Sequence, residues 1–171
     1  NNNLPGHGRL TTWFTNDGLI LIKAKYGNLI FLDPKERIDH ELLIEGSFDD
    51  EVTAFLIEEL KGNDIFWDIG ANIGHHALAV EKLHPGTSIY AFEPNPKALK
   101  RLNKNLNANA SAIQVVPKAL SNKEEKGSMF TTPGNLGRTS LKKLDKAKEI
   151  ESEIEVTRAD ALISSGLPLP N

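Results

Sequence analysis

The sequence of 171 residues contains no cysteine, and its one methionine is Met129. Without cysteine, disulfide frameworks, thiol nucleophiles and cysteine-bound zinc or iron–sulfur clusters are excluded. Long apolar runs are missing too, since a run such as Leu19–Ile22 ends after four residues, far short of the ~20 that span a bilayer. No positively charged start followed by an apolar stretch opens the chain, as a signal peptide would. We therefore expect a cytoplasmic protein with no membrane span.

What the sequence does contain is an ordinary globular composition, with 39% apolar and 25% charged residues. The length fits one domain, at roughly 100–200 residues per domain. The first residue is Asn1 rather than a methionine. This is expected if the start has been removed or if the chain is a piece of a longer protein.

The charge is unevenly distributed, although the net charge is only −3. Residues 1–93 carry 7 basic and 15 acidic side chains, and residues 94–171 carry 13 and 8. Four basic residues at helical spacing predict a solvated helix face opposite a row of leucines. The four basic residues are Lys97, Lys100, Arg101 and Lys104. No aromatic residues alternate with these charges, so the pattern does not support a platform for single-stranded nucleic acid.

The order of the predicted elements indicates an α/β fold. Two β-rich runs, 18–23 and 28–32, predict a hairpin, and Ser47 and Asp49 are caps for a helix that continues to about Lys61. Strands and helices then alternate over 65–69, 75–83, 88–92, 95–108 and 113–116. Such alternation with short connections is typical of the first half of a Rossmann-like, doubly wound, mostly parallel sheet. A second hairpin is predicted around residues 133–134, with strands at 127–132 and 138–141. A charged stretch, 142–155, leads into a further predicted strand near 154–157.

The segment Asp68-Ile69-Gly70-Ala71-Asn72-Ile73-Gly74 lies between the first predicted strand of this alternation and its helix. A dinucleotide site of the G-x-G-x-x-G type needs glycine where Asn72 stands, because the backbone must approach the pyrophosphate closely there. The Asp68 carboxylate would also repel a diphosphate. A ligand with an ammonium group, such as S-adenosylmethionine, would instead be attracted to Asp68, and its carboxylate could use the helix N-terminal amides.

A second acid, Glu93, ends the next predicted strand, 19 residues after Gly74. This is close to the ~20-residue separation expected for an acid that binds ribose. A carboxylate there can accept hydrogen bonds from both ribose hydroxyls, each of which contributes about 1.5–3 kcal/mol. Two acids at the ends of consecutive strands favour a nucleoside-containing ligand over two unrelated surface carboxylates.

The motifs FWDIGANIG and IYAFEPNP, followed by a helix ending in LNKNLNAN, resemble the FkbM family of S-adenosylmethionine-dependent methyltransferases. The resemblance covers roughly residues 38–167 and implies a class I methyltransferase fold. It implies that the methionine side of the cofactor is lined by Asp68, Gly70, Ala71, Asn72 and Gly74. It further implies that Glu93 holds the ribose with Pro94 beside it, and that Ala119 and Leu120 lie near the adenine.

Members of that family continue into further strands after the region that matches Asp160, whereas this sequence ends at Asn171. We therefore expect the C-terminal strands of the fold to be missing from this chain. On this basis we predict an N-terminal unit, residues 1–61, with a hairpin and lead-in helix, and a truncated cofactor-binding half, residues 62–171.

Several further residues are weaker candidates. His75 or His76 could approach an acceptor as a base because histidine titrates near neutrality, but we favour the interpretation that one faces solvent and the other packs. Glu51 could contact the cofactor or stabilise a helix dipole. Thr139 and Ser140 could shape an acceptor pocket, with Arg138 there or at the surface. The sequence assigns no catalytic residue and predicts no metal site.

The function predicted from the sequence is methyl transfer from S-adenosylmethionine, with a small-molecule or sugar hydroxyl as acceptor. The alternatives are a non-catalytic module that binds this cofactor and, less favoured, a nicotinamide-dependent oxidoreductase. A nucleic-acid methyltransferase is a further alternative, although no N-P-P-Y-type motif is present in these residues. The acceptor and the oligomeric state are not specified by the sequence.

Overall fold

The computed structural model describes residues 12–15, 17–141 and 150–171. The strands in these ranges are β1 (Thr12–Phe14), β2 (Ile20–Lys23), β3 (Leu29–Leu32), β4 (Ile65–Ile69), β5 (Ser88–Phe92), β6 (Gln114–Val116), β7 (Lys118–Leu120), β8 (Glu125–Thr132), β9 (Asn135–Ser140) and β10 (Ile150–Thr157). The helices are α1 (Arg37–Glu45), α2 (Asp50–Glu59), α3 (His75–Leu83), α4 (Pro96–Ala108) and α5 (Ala159–Ser164). None of these helices combines the length and the hydropathy that crossing a bilayer requires.

A parallel sheet of β4, β5 and β6 carries the predicted alternation. β4 runs beside β5 with Asp68 opposite Ala91 and Ile69 opposite Phe92. α3 connects β4 to β5, and α4 connects β5 to β6. The prediction of an α/β fold with parallel strands is confirmed, and the predicted bounds of β4, α3 and β5 agree with the structure. A doubly wound sheet completed by further strands stays a prediction.

Both faces of the parallel sheet are covered, because successive side chains of a strand point to opposite faces. Ile89 and Ala91 of β5 belong to the core cluster that contains Leu78 of α3 and Leu102 of α4. The alternate residues of β5, Tyr90 and Phe92, pack on the other face of the sheet. They contact Trp67 and partly buried residues of α5. Because β4 and β5 are parallel neighbours, their carboxyl ends lie side by side at one edge of the sheet.

The start of α4 follows its sequence signal closely. Asn95 has extended backbone angles, and its side chain accepts a hydrogen bond from the Lys97 N–H at 2.9 Å. Pro96 occupies the first helical position, where a missing N–H costs nothing and the fixed φ suits the helix. The predicted start of this helix is therefore confirmed, and it fixes the chain directly after Glu93.

An antiparallel sheet of β1, β2 and β3 forms the N-terminal part, which confirms the predicted hairpin between β2 and β3. The predicted helix beginning after Asp49 is confirmed as α2. The sequence pattern did not predict α1, which is followed by Gly46 in the left-handed conformation (φ 75°). Leu42 of α1 packs in a core cluster with Ile22 and Ile30 of the sheet and with Ile73 of the glycine turn.

The basic face predicted for α4 is only partly solvated, which corrects the sequence analysis. Lys97 and Lys100 are exposed, but Arg101 is buried and forms an ion pair with Asp39 of α1, besides donating to the Phe31 carbonyl at 3.2 Å. The pattern of helical spacing could not show this, because a second element, β3, covers that face of the helix.

A mixed sheet with the strand order β7-β10-β8-β9 completes the described structure. The predicted hairpin is confirmed as β8 and β9, with Thr132 opposite Asn135, so that β9 begins earlier than predicted. The strand near 154–157 is the end of β10, which lies parallel to β7 and antiparallel to β8. The sequence analysis missed β7 and α5. Residues 142–149 of the charged stretch lie outside the described residues.

Candidate functional site

In the turn after β4, every second residue from Gly70 to Gly74 has a left-handed backbone conformation. Gly70, Asn72 and Gly74 have φ values of 85°, 51° and 84°. The N–H groups of Gly70 and Ala71 both donate to the Phe92 carbonyl, at 2.9 and 3.0 Å, which ties the turn to the end of β5. Glycine is favoured at two of these positions because left-handed angles strain residues with a Cβ.

The two glycines have different surroundings. A Cβ added at Gly70 would meet nothing within 4 Å, so this side of the turn is open. A Cβ added at Gly74 would lie 2.6 Å from Leu102 Cδ1, so the other end of the turn packs directly on α4. The turn is therefore supported from one side and free to contact a ligand from the other.

Asp68 lies at the end of β4 with only 9% of its surface exposed, and its Oδ2 atom is buried without a hydrogen-bond partner among the described residues. Burial raises the pKa of this carboxyl from 3.8 to about 6, against the lowering effect of the Ala77 N–H, and the nearby Glu93 charge raises it further. An uncompensated buried carboxylate is costly. A cationic or hydrogen-bond-donating ligand would remove that cost.

Glu93, at the end of β5, is buried and accepts two backbone hydrogen bonds. Its Oε2 atom accepts from the Asn72 N–H at 2.9 Å, and its Oε1 atom accepts from the Asn95 N–H at 2.7 Å. Burial raises the pKa of this carboxyl, and these two N–H groups act in the opposite direction. Each carboxylate oxygen can accept a second hydrogen bond, so Glu93 can brace the turn and still bind hydroxyl groups.

The structure brings Asp68, Asn72 and Glu93 together at one edge of the sheet, as the sequence analysis expected for the two acids. Asn72 adds a second unpartnered acceptor, because its Oδ1 atom is also buried without a partner among the described residues. Two buried acceptors beside the open face of Gly70 fit a ligand that carries an ammonium group and further hydrogen-bond donors. S-adenosylmethionine has these groups, so the residues present fit this cofactor.

The remaining predicted cofactor residues differ in their surroundings. Ala71 packs in the core cluster of α3 and α4, and Pro94 is half-buried after Glu93. Ala119 and Leu120 are neighbours on β7, so their side chains point to opposite faces of the strand. Ala119 is buried in the cluster of the mixed sheet, whereas Leu120 packs beside the cluster of Trp67, Tyr90 and Phe92. A contact of either residue with adenine stays a prediction.

Both histidines after the turn are packed. His75 is 5% exposed, and its Nε2 atom accepts the Phe48 N–H at 3.2 Å. Burial, together with His76, lowers the pKa of His75 to about 4, so its ring is neutral at pH 7. His76 is half-buried and its Nδ1 atom lies 2.8 Å from Thr53 Oγ1. The expectation that one histidine packs is confirmed, and the expectation that the other faces solvent is wrong because α2 covers it.

The other weak candidates lie on two elements outside the turn, α2 and β9. Glu51 is exposed in the first turn of α2, a position that favours the helix dipole. Thr139 and Ser140 are half-buried on β9, and Arg138 is exposed. A recess of about 260 Å³ lies between α1 and β9 and is lined by Arg37, Ile38, Glu41, Phe48, Asn135, Gly137 and Arg138. This volume is below the ~300 Å³ at which ligand pockets begin, and we assign it no ligand.

One polar residue that supports the turn was missed by the sequence analysis. Asn105 of α4 is completely buried, and its Nδ2 atom donates to the Ile73 carbonyl at 2.8 Å. The signal that could have found it is the spacing of Asn105 and Asn109, one helical turn apart on the buried side of a helix. Buried asparagines need hydrogen-bond partners, which on a helix surface come from a neighbouring element.

Comparison with known proteins adds the following similarities. Residues 68–166, more than half of the chain, match the model of a family described as "Methyltransferase FkbM domain". "Hexuronic acid methyltransferase AglP" of Haloferax volcanii is 30% identical over 122 residues, which cover 71% of this chain and 48% of that protein. "31-O-demethyl-FK506 methyltransferase FkbM" of Streptomyces tacrolimicus is 43% identical over 47 residues, or 28% of this chain and 18% of that protein.

Among solved structures, the P. horikoshii TYW2 protein in complex with MeSAdo has 17% sequence identity and a TM-score of 0.44. The match covers 60% of this chain and 37% of that protein. The chain thus spans about half the length, or less, of the proteins it resembles.

Proposed function

Because this chain belongs to the FkbM methyltransferase family, we propose that the protein transfers a methyl group from S-adenosylmethionine to a hydroxyl group of a small molecule or sugar. The observation that carries the proposal is the pair of buried, unpartnered acceptors, Asp68 Oδ2 and Asn72 Oδ1, in the family's glycine turn. Most buried polar atoms of native proteins have a hydrogen-bond partner, and these two lie in the same turn as the open face of Gly70. A bound ligand with donor groups accounts for both.

The cofactor supplies a methyl group activated by the positive sulfonium centre. Asp68 accepts a hydrogen bond from the ammonium group, and the first turn of α3 offers backbone N–H groups and a positive dipole end to the carboxylate. The free lone pairs of Glu93 accept the ribose hydroxyls. The open face of Gly70 admits the ligand to the backbone, and Leu120 is the residue of β7 that we assign to the adenine.

The proposed acceptor class rests on the relatives. One is named for a hexuronic acid and the other for a demethylated oxygen of FK506, so both names point to small molecules or sugars rather than macromolecules. A hydroxyl acceptor must lose its proton during the transfer, and a general base works best when its pKa is near the operating pH. The pKa of His75 is far too low for this, at about 4, so we do not assign the base to His75.

The first experiment measures cofactor binding. We expect isothermal titration calorimetry to detect binding of S-adenosylmethionine and S-adenosylhomocysteine to the full-length protein, and no binding of NADH. The Asp68→Asn variant should bind S-adenosylmethionine more weakly, whereas a Glu58→Gln control, which changes an exposed carboxylate of α2, should bind like the wild type. A folded protein that binds neither adenosyl compound contradicts the proposal.

The second experiment measures turnover. The protein is incubated with methyl-labelled S-adenosylmethionine and, in separate reactions, with hexuronic acids, neutral hexoses, hydroxylated macrolides, RNA and DNA, and label in the product is counted. Transfer to a hydroxyl of any of these compounds supports the proposed activity. Binding of the cofactor without transfer to any acceptor class, nucleic acid included, identifies the non-catalytic alternative. Transfer to RNA or DNA alone overturns the proposed acceptor class.

A further inference from the structure

Asn105 links three parts of the molecule that are distant in sequence. Its Nδ2 atom donates to the Ile73 carbonyl of the glycine turn at 2.8 Å, and its Oδ1 atom accepts the Phe31 N–H of β3 at 2.8 Å. Its exposed surface is 0%. A buried side-chain amide that is bonded at both ends has one orientation, so these two contacts are made together.

The Ile73 carbonyl has no partner within α3, which explains why an external donor is needed. The helix begins at His75, and the bond that closes its first turn runs from the Leu78 N–H to the Gly74 carbonyl at 3.0 Å. The Ala77 N–H, one position earlier, lowers the pKa of the Asp68 carboxyl and makes no described hydrogen bond to the Ile73 carbonyl. Asn105 therefore supplies the Ile73 carbonyl with the hydrogen bond that the helix does not provide.

The turn is held from two opposite sides. On one side the Asn72 N–H donates to Glu93 Oε2 at 2.9 Å. On the other side Asn105 holds the next carbonyl, and the side chain of Ile73 is buried in the cluster of the N-terminal sheet. The unpartnered Asn72 side chain lies between these two anchors, so its position depends on both.

Asn109 provides an internal comparison one turn further along α4. Its Oδ1 atom accepts the Leu29 N–H at 2.8 Å and its Nδ2 atom donates to the Leu29 carbonyl at 2.7 Å. Asn105 and Asn109 are four residues apart on the helix, a rise of ~6 Å along its axis. They pair with Phe31 and Leu29, which are two residues apart on β3, a rise of ~6.8 Å along the strand. Both asparagines attach β3 to α4, but of the two, only Asn105 has a bond to the glycine turn among the described hydrogen bonds.

We propose that Asn105 is a positioning residue for cofactor binding, which acts by fixing the Ile73 carbonyl and through it the turn that carries Asn72. The inference rests on the proposed function for the identity of the ligand, S-adenosylmethionine. The effect of Asn105 on the conformation of the turn does not depend on the proposed function. Asn109 attaches β3 and, through its Nδ2 atom and the Asn105 carbonyl, the end of α4, but it has no described bond to the glycine turn, so substitutions at the two positions separate positioning from general stability.

The test compares Asn105→Ala with Asn109→Ala in the full-length protein, well below the unfolding temperature of either variant. The dissociation constant of S-adenosylmethionine is measured by calorimetry, and thermal unfolding is recorded alongside. We expect both variants to lower Tm. We expect Asn105→Ala to raise the dissociation constant about tenfold or more, which corresponds to about 1.4 kcal/mol, and Asn109→Ala to leave it within about twofold.

Two results overturn the proposal. Unchanged affinity in Asn105→Ala with a lowered Tm makes the residue merely structural, and an equal loss of affinity in both variants assigns the effect to the attachment of β3. If Asn105→Ala does not fold, Asn105→Ser, which retains a hydroxyl in the buried site, is judged by the same outcomes.

Amide hydrogen exchange separates failure of this proposal from failure of the proposed function. Without ligand, exchange of the Asn72 and Gly74 amides should become faster in Asn105→Ala than in Asn109→Ala. If the wild type binds no adenosyl compound, the proposed function fails while this comparison still decides whether Asn105 holds the turn. Equal exchange of these amides in the two variants overturns the positioning role.

Discussion

Glu93 Oε2 accepts the backbone N–H of Asn72 at 2.9 Å, so the acid at the end of β5 holds the turn that follows β4. The sequence motif assigns Glu93 to a ribose, and the structure adds a second task. The same carboxylate also accepts the Asn95 N–H at 2.7 Å, which joins the turn to the start of α4. Loss of this side chain therefore removes two hydrogen bonds to the backbone, and we expect it to weaken ligand binding as well.

We expect Glu93→Ala to lower the free energy of unfolding by about 1–3 kcal/mol, because it leaves the Asn72 and Asn95 N–H groups without their acceptor. The variant should also weaken binding of S-adenosylmethionine by about 1.5–3 kcal/mol, the value of charged hydrogen bonds to the ribose. Denaturant unfolding and calorimetry measure the two effects separately. A folded variant with unchanged affinity would remove Glu93 from the cofactor site.

Asp68→Asn should make the protein more stable at pH 7.5 while weakening cofactor binding. Burial raises the pKa of Asp68 from 3.8 to about 6, so the folded protein holds this proton more tightly than the unfolded chain. At about 1.4 kcal/mol per pKa unit, the buried carboxylate costs up to about 3 kcal/mol at neutral pH.

The sign of the pH dependence follows from that raised pKa. As the pH falls from about 6 towards 4 the wild-type carboxyl becomes neutral in the folded state, and its stability should approach that of Asp68→Asn. Binding of S-adenosylmethionine by the wild type should weaken over the same range, because the ammonium group loses its charged partner. Unfolding free energies and dissociation constants at pH 5 and 7.5 measure both trends. A stability difference that is independent of pH contradicts the burial of Asp68 as its cause.

The two glycines of the turn should respond differently to a methyl group. Both have left-handed angles, which cost a residue with a Cβ roughly 1–2 kcal/mol. Gly74→Ala adds a contact of 2.6 Å with Leu102 Cδ1, so we expect it to destabilise the fold more than Gly70→Ala does. Gly70→Ala fills open space where we place the ligand, so it should lose more cofactor affinity than stability. Equal affinity in Gly70→Ala and the wild type would show that the ligand does not approach this residue.

The ion pair between Asp39 and Arg101 should contribute far more to the free energy of unfolding than the exposed ion pairs do. Both side chains are buried, and removing one partner of a buried pair typically costs about 3–5 kcal/mol because the other charge stays uncompensated. We therefore expect Asp39→Ala to lower the unfolding free energy by an amount of this order. Lys126→Ala, which breaks the exposed pair with Glu153, is the control and should cost less than about 1 kcal/mol. Similar losses in the two variants would contradict the burial argument.

Local signals in the sequence determined the parallel core and the location of the candidate site. The run Ile65–Ile69 predicts a buried strand, Asn95-Pro96 predicts a helix start, and the glycines after Asp68 predict a tight turn. These signals depend on neighbouring residues, on periodicity and on backbone preferences. The structure confirms the strand, the helix start and the turn, although Ile69 at the end of the strand is exposed. The family motif resides in the same short segments, so the resemblance was visible without the fold.

Only the tertiary structure decided which polar groups are satisfied and which are not. The burial of Arg101, the bond from Asn105 to Ile73, the covering of His76 by α2 and the unpartnered Asp68 Oδ2 atom all depend on elements that are distant in sequence. Residue spacing shows which side chains share a helix face, but not what packs against that face. Because burial and hydrogen bonding set the energies of charged and polar groups, the chemistry of this site follows from the packing of β3, α2 and α4 around a turn that the sequence had already marked.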